Sequence, residues 1–505
     1  MEDLRRLVKI ISKRKQRQFP LLELKSINEN SSKENIFFRY IKKGIVSTDD
    51  EASKLIYGTK SDDDRFRMLK SRLKQKLLNH MFFLDLTENN HKVSNQYEQE
   101  CIQQLHQAKM LLFTGELKLA RSLVLKALTV AERCEFTKYI IDSLEDLVRI
   151  YSENCQPHLF DDIVSRLSEA RELYKLETEA REHFYYIKMM VVKSVNSRKK
   201  NLENAAESIE KVHQVWKKTK SYNVFEYLMQ LHLLHKSLTG DFAGIVDFLK
   251  EVEKGSFEGH ELNSNRLDQA QIIRSMSHAY FRAWEFEKGM QYVEKHLEEI
   301  DSSGLDWFQL NDTYFHLAVH NKSYKKATEI IDSIFENKVF DRLSEEEQDR
   351  WKLYNVYLQL IYAGNFYIRN VNIKNVIENI PEYHKDREGF NVALIILQFL
   401  YFIGQGDLEE LVTRRDELKR YMANHFKENF SYRSRTIYKL LNIVVENELD
   451  VKAIQQKSRY LLKKLDEHKI VGDAYQEMEI IPYGDLWDLI VRMLKSGVVR
   501  GFSLE

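Results

Sequence analysis

Few residues of this 505-residue chain have the types and spacing that chemistry needs. His316 and His320 lie four apart in HLAVHN, which places both imidazoles on one helix face, a spacing that can hold zinc. A third ligand is not apparent, and no Glu follows His316 as an HExxH site requires, so both read as helix-packing histidines. His232 and His235 read the same way. Gly404 and Gly406 in GQGD lack the Lys-Ser or Lys-Thr that completes a phosphate loop. Cys101, Cys134 and Cys155 have no metal-ligand spacing; their odd number and wide separation suit a reducing compartment, where they read as small buried hydrophobes. No nucleophile, base and orienting group come together. The expectation is a protein that is not an enzyme, with no catalytic, cofactor or metal site.

Two polar clusters remain as recognition candidates. EYHKDREGF, from Glu382 to Phe390, forms a dense turn after Pro381. Within it His384, Lys385, Asp386 and Arg387 can meet a partner's carboxylate or backbone, or serve as a solvated, self-capped loop. The second is the basic helix DRFRMLKSRLKQKL. Phe66, Leu69, Leu73 and Leu77 fall on one stripe, and Arg65, Arg72, Lys74 and Lys76 lie largely off it. That arrangement loosely resembles the recognition helix of bacterial winged-helix regulators, where basic residues meet phosphates and base edges. No wing of β-branched residues is visible, and the competing reading is a solvated or docking face.

The elements that must position such residues are helices. Only 4 Pro and 17 Gly occur in the whole chain, far below the usual ~5% and ~7%, so turn and breaker signals are sparse. Lys plus Arg and Asp plus Glu number 77 each, and the zero net charge disfavours a generally basic nucleic-acid binder. No apolar run reaches the ~18 residues of a membrane span. The basic opening stretch, which Pro20 ends or bends, lacks the hydrophobic segment of a secretory signal. A cytoplasmic protein without membrane contact is expected.

One pattern recurs: two short helices joined at a small residue, with Ala near the start of the second. Its clearest copy is LLFTGELKLARSLVLKALTVAE, with Gly115 at the turn and Ala120 and Ala127 beyond it. Looser copies begin at Ala279, Val319 and Tyr401, the second containing Ala327. Small residues let paired helices approach closely. Gly115, Gly364 and Gly406 suit turns that need positive φ. Leu111, Tyr280 and Phe402 lie on the apolar side of first helices. Helix pairs are expected near 97–134, 137–176, 181–218, 222–254, 266–301, 306–337, 346–380 and 388–425. A helical stretch follows at 430–466 and another at 475–496. Ser47 or Thr48 caps a helix in the first ninety residues.

The segment from Ala108 to Ala127 resembles the tetratricopeptide repeat. In later copies Trp284 and Lys322 replace the turn glycine and Leu411 replaces the small residue. The later half is similar to tetratricopeptide-like proteins of bacteria, particularly the Bacteroidetes group. The resemblance implies an all-α fold: an α-solenoid of degenerate helix hairpins at 96–430, with a helical extension at 431–505. A small helical domain at 1–92, helix-turn-helix-like in one reading, precedes it. The implied function is a scaffold or adaptor that holds a protein or peptide in a concave groove. The alternative is a bacterial transcriptional or signalling regulator, with DNA contact confined to the N-terminal region and a sensor in the repeats.

Overall fold

The computed structural model describes residues 32–80, 93–193, 202–362, 390–425, 432–467 and 479–496. Within them the protein is all-α, with twenty helices and one short β-hairpin. The chain divides into two compact units, residues 1–91 and 92–505.

The first unit contains α1 (Lys33–Lys42), α2 (Asp49–Tyr57) and α3 (Asp64–His80). Thr48, rather than Ser47, caps α2: its hydroxyl accepts from the Glu51 N–H, and the Glu51 carboxylate accepts from the Thr48 N–H at 3.1 Å. Phe66, Leu69, Leu73 and Leu77 of α3 are buried against Phe37, Phe38 and Ile41 of α1. The three-and-four spacing is thus the seam of a small helical core.

The second unit opens with α4 (Val93–Phe113), α5 (Leu117–Arg133), α6 (Thr137–Glu153) and α7 (Pro157–Lys193). Next come α8 (Leu202–Thr219), α9 (Tyr222–Thr239), α10 (Phe242–Glu253), α11 (Gln269–Arg282) and α12 (Phe286–His296). The chain continues through α13 (Leu305–His320), α14 (Tyr324–Glu336), α15 (Glu345–Tyr362), α16 (Phe390–Gln405) and α17 (Leu408–His425). It ends with α18 (Tyr432–Glu446), α19 (Val451–Glu467) and α20 (Tyr483–Ser496). Each helix packs on the next, and α4 also touches α6, α7 touches α9, and α11 touches α13. The last helix returns to pack on α15 and α16 as well as α19.

Eight junctions share one backbone device. After α4, α5, α6, α9, α11, α13, α16 and α18 a residue adopts positive φ: Gly115, Glu135, Cys155, Gly240, Trp284, Lys322, Gly406 and Glu448, the last followed by Leu449, also at positive φ. The N–H of the turn residue donates to the carbonyl three residues back, and the next N–H donates to the carbonyl five back, as in Glu116 N–H to Leu111 O at 2.9 Å. This Schellman closure satisfies carbonyls that a helix end otherwise leaves unpaired. Five residues beyond the turn residue lie Ala120, Gly289 and Ala327, at points of close helix approach. Ala120 and Ala327 are fully buried, and a methyl on Gly289 would meet Leu317 Cδ2 at 2.6 Å and Tyr280 Cβ at 3.0 Å. Trp284 and Lys322, although bulky, perform the same backbone role as glycine.

Three features differ from the sequence expectation. The break expected near 176–181 is absent, because α7 runs 37 residues without interruption. Its sequence there, LETEARE, has no Gly or Pro and, apart from Thr178, only good helix formers. A β-hairpin, β1 (Ser256–Phe257) with β2 (His260–Glu261), follows α10, with Gly255 and Gly259 at positive φ. Cys101 and Cys134 are buried, but Cys155 is exposed because it occupies a turn position.

A buried polar knot ties the C-terminal end inward. Arg433 on α18 makes a forked ion pair with Glu479, Nη2 to Oε1 at 2.6 Å and Nε to Oε2 at 3.0 Å. Its Nη1 donates to the Leu465 carbonyl at 2.7 Å. Glu479 Oε1 also accepts the Tyr483 N–H, and the Glu479 carbonyl accepts from His320 Nε2 at 2.9 Å. His320 therefore carries its proton on Nε2. Lys322 adds an ion pair to Asp485 at 3.0 Å.

Two predictions arise from this framework. A non-glycine residue at positive φ costs ~1 kcal/mol or more. Cys155→Gly is therefore expected to raise stability by about 0.5–1 kcal/mol despite glycine's larger unfolded entropy, read as a higher denaturant midpoint. His320 titrates near 4, well below its ordinary 6.5, because burial disfavours the charged ring more than the Glu479 carboxylate and carbonyl favour it, with smaller repulsion from His316 and Arg433. A depressed histidine pKa means that the unfolded chain binds the proton first. Its contribution is complete above pH 6.5 and is lost as pH falls toward 4. The loss is on the order of 3 kcal/mol. Melting temperatures taken across that range are expected to fall less steeply in His320→Gln, whose amide retains a donor.

Candidate functional site

Three successive first helices, α11, α13 and α15, face one cavity of about 530 Å³. From α11 it receives Gln271, Arg274, Ser275 and His278; from α13, Phe308, Gln309, Asp312 and Thr313; from α15, Glu347, Arg350 and Trp351. The opposite faces of these helices are apolar: Ile272, Ile273 and Met276, then Leu310 and Leu317, then Leu353 and Val356 are buried. Burial of one stripe in the core turns the polar stripe to the cavity.

The cavity's charges alternate in sign. Arg274 pairs with Asp306 at 3.3 Å and donates to the Gln309 side chain. Asp312 Oδ1 accepts the Tyr354 hydroxyl at 2.8 Å, and its backbone carbonyl bonds His316 Nδ1 at 2.8 Å. Phe315 and Tyr354 stack beneath it with centroids 4.9 Å apart. Glu347 is engaged in capping α15, where its carboxylate accepts the Ser344 N–H at 3.0 Å. His278 is exposed at the cavity, yet the protein around its ring and the Arg282 guanidinium push its pKa down to about 4. Both lead to a neutral imidazole at pH 7, able to donate and to accept. The cavity offers cations, an anion, amides and hydroxyls beside two aromatic walls.

None of the described residues singled out in sequence lines this cavity. His384, Lys385, Asp386 and Arg387 fall outside the described residues, as does Gly364. On α3, Arg65, Arg72, Lys74 and Lys76 are exposed. Arg65 clasps Asp63 through Nε at 3.1 Å and Nη2 at 2.7 Å. Arg72 lies 3.8 Å from Glu34, a carboxylate that Lys76 also acts on electrostatically. The described residues therefore give this helix a mixed, partly neutralised surface. His316 and His320 pack against Phe281 at 5.7 and 5.0 Å, and His232 packs against Phe248 at 5.2 Å. Among the described residues no group of His, Cys, Asp and Glu is arranged to hold a metal ion. No described helix is long and apolar enough to cross a membrane.

Sequence reasoning missed the cavity residues Arg274, His278, Asp312 and Arg350. The i, i+4 spacing of Arg274 and His278, opposite an apolar stripe, was the available signal. It did not distinguish a lined cavity from an ordinary solvated face.

In comparisons with known proteins, no family model, no curated protein and no solved structure matches the chain.

Proposed function

We propose that the protein is a non-enzymatic scaffold whose second unit is a solenoid of tetratricopeptide-like hairpins that holds a peptide segment of a partner protein. The observation that carries this reading is the shared cavity of α11, α13 and α15, three first helices in succession. The repeated two-residue turns and the contacts between α4 and α6, and between α11 and α13, accord with stacking of like on like. An extended segment in the cavity would find Arg274 and Arg350 for its carboxylates and carbonyls, Asp312 for an N–H or ammonium, and Phe308 and Trp351 for apolar contact. The neutral His278 adds a direction-neutral hydrogen-bond partner. The regulator reading has less support, since Arg65 is spent on Asp63 and Arg72 and Lys76 share Glu34.

The test is a peptide-array screen with the full chain, followed by titration of any binder. Removing one charged hydrogen-bond partner costs about 1.5–3 kcal/mol. Arg274→Met and Asp312→Asn are therefore each expected to weaken the selected peptide by roughly 10- to 100-fold. A binder indifferent to both substitutions, or an array with none, would remove the cavity from consideration.

A further inference from the structure

A second cavity, of about 260 Å³, lies between α4, α6, α7 and α9 and has a different character. It is below the ~300–1,000 Å³ typical of clefts for drug-sized ligands and suits a small metabolite. At its centre is Glu177 on α7, whose residue surface is only 4% exposed. One carboxylate oxygen, Oε1, accepts three hydrogen bonds: from Thr137 Oγ1 at 2.8 Å, Ser221 Oγ at 2.5 Å and Asn223 Nδ2 at 3.0 Å. The other, Oε2, accepts none among the described residues. Four residues along the same helix, Arg181 lines the same cavity.

Glutamate four residues before arginine is the favourable order for a helical ion pair. Here the pair is not made. Three donors hold the Glu177 carboxylate away, and Arg181 contacts the Thr178 hydroxyl at 3.4 Å and the Tyr174 ring at 5.8 Å, with no carboxylate in ion-pair range among the described residues. The other charges around the cavity are spoken for or lie at its edge. Arg266 binds Glu226 at 3.0 Å, the Asn223 side chain at 3.0 Å and the Cys134 carbonyl at 3.1 Å. Glu98 accepts the Tyr139 hydroxyl at 2.9 Å. Lys138 is exposed. What remains is one buried negative charge, on which Arg266 acts only at a distance, and one positive charge, both carried by α7 and not paired with each other, beside a chamber walled by Tyr139, Tyr174 and Tyr227.

We propose that this cavity binds a free α-amino acid, its ammonium group on Glu177 and its carboxylate on Arg181. A simple anion would meet Glu177, and a simple cation would meet Arg181 and Lys138; a zwitterion satisfies both ends. The tyrosine rings supply a face for the ammonium and contact for the side chain. Burial raises the Glu177 pKa, the direction in which an arriving cation stabilises the carboxylate most. The site is distinct from the peptide cavity and does not depend on it.

The experiment is thermal denaturation and calorimetric titration of the full chain with each proteinogenic amino acid, up to about 10 mM, well above a millimolar dissociation constant. At least one is expected to raise the melting temperature by about 2 °C or more, whereas its N-acetyl and C-amide derivatives do not. Glu177→Gln keeps the acceptor for Thr137, Ser221 and Asn223 and removes only the charge; it is expected to weaken binding by about 10- to 100-fold. Arg181→Met, which gives up only half-buried contacts with Thr178 and Tyr174 on its own helix, is expected to do the same and stands as the readout should Glu177→Gln fail to fold. Arg274→Met is expected to leave amino-acid binding unchanged. Absence of any shift, equal binding of the blocked derivatives, or binding that persists in Arg181→Met would overturn the proposal.

Discussion

The second unit depends on a backbone turn that reverses a helix within two residues. At each such junction the helix must end without leaving its last carbonyls unpaired, and the left-handed residue makes that possible. Once the turn is set, the start of the next helix is set with it: the N–H of Ala120 donates to Glu116 O, that of Gly289 to Glu285 O, and that of Ala327 to Ser323 O. The same residues then fall at the crossing between the paired helices, where side-chain volume controls the approach. Leu411 occupies the equivalent position after Gly406 and is fully buried, so the device tolerates a large residue where the neighbours leave room. Side-chain identity at the turn matters less than φ. Glu135, Cys155, Trp284, Lys322 and Glu448 all adopt a conformation that glycine reaches at lower cost.

The helix pairs were legible wherever an apolar stripe met a small or polar turn. The pairs expected at 97–134, 222–254, 266–301, 306–337 and 388–425 correspond to helices within a few residues. Trp284 and Lys322 obscured their turns because residue type is an indirect signal of positive φ. The continuity of α7 was not legible, since a repeat length imposed on LETEARE suggested a break that no residue there requires. The β-hairpin was missed because its two-residue strands carry no alternation to read. The candidate sites were hidden for a different reason. Arg274, Asp312 and Arg350 are distant in sequence, and each sits on a helix face whose charge pattern is ordinary in isolation. Only the packing of first helices makes them neighbours.

Equal numbers of acidic and basic residues conceal an uneven distribution of electrostatic roles. Some pairs lie at the surface, such as Arg149 with Glu153 and Arg171 with Glu145, and these contribute little. Others are buried in networks that join segments far apart in sequence. Arg433 and Glu479 close the C-terminal end through a forked bond. Arg266 gathers α9 and the turn after α5, lying over the rings of Phe136 and Tyr222 at 4.8 and 4.7 Å. Such groups are costly to desolvate and costlier to leave half-paired, so they select one arrangement of the hairpins over its near alternatives.

The uninterrupted α7 has a mechanical corollary. At 37 residues it extends for roughly 55 Å, packing on α6 before it and on α8 and α9 after it. A pair of shorter helices with a loop between them would provide a joint at this point. A single rod does not, so the segments it bridges must bend or twist as one piece, and any flexing of the unit is displaced to junctions on either side.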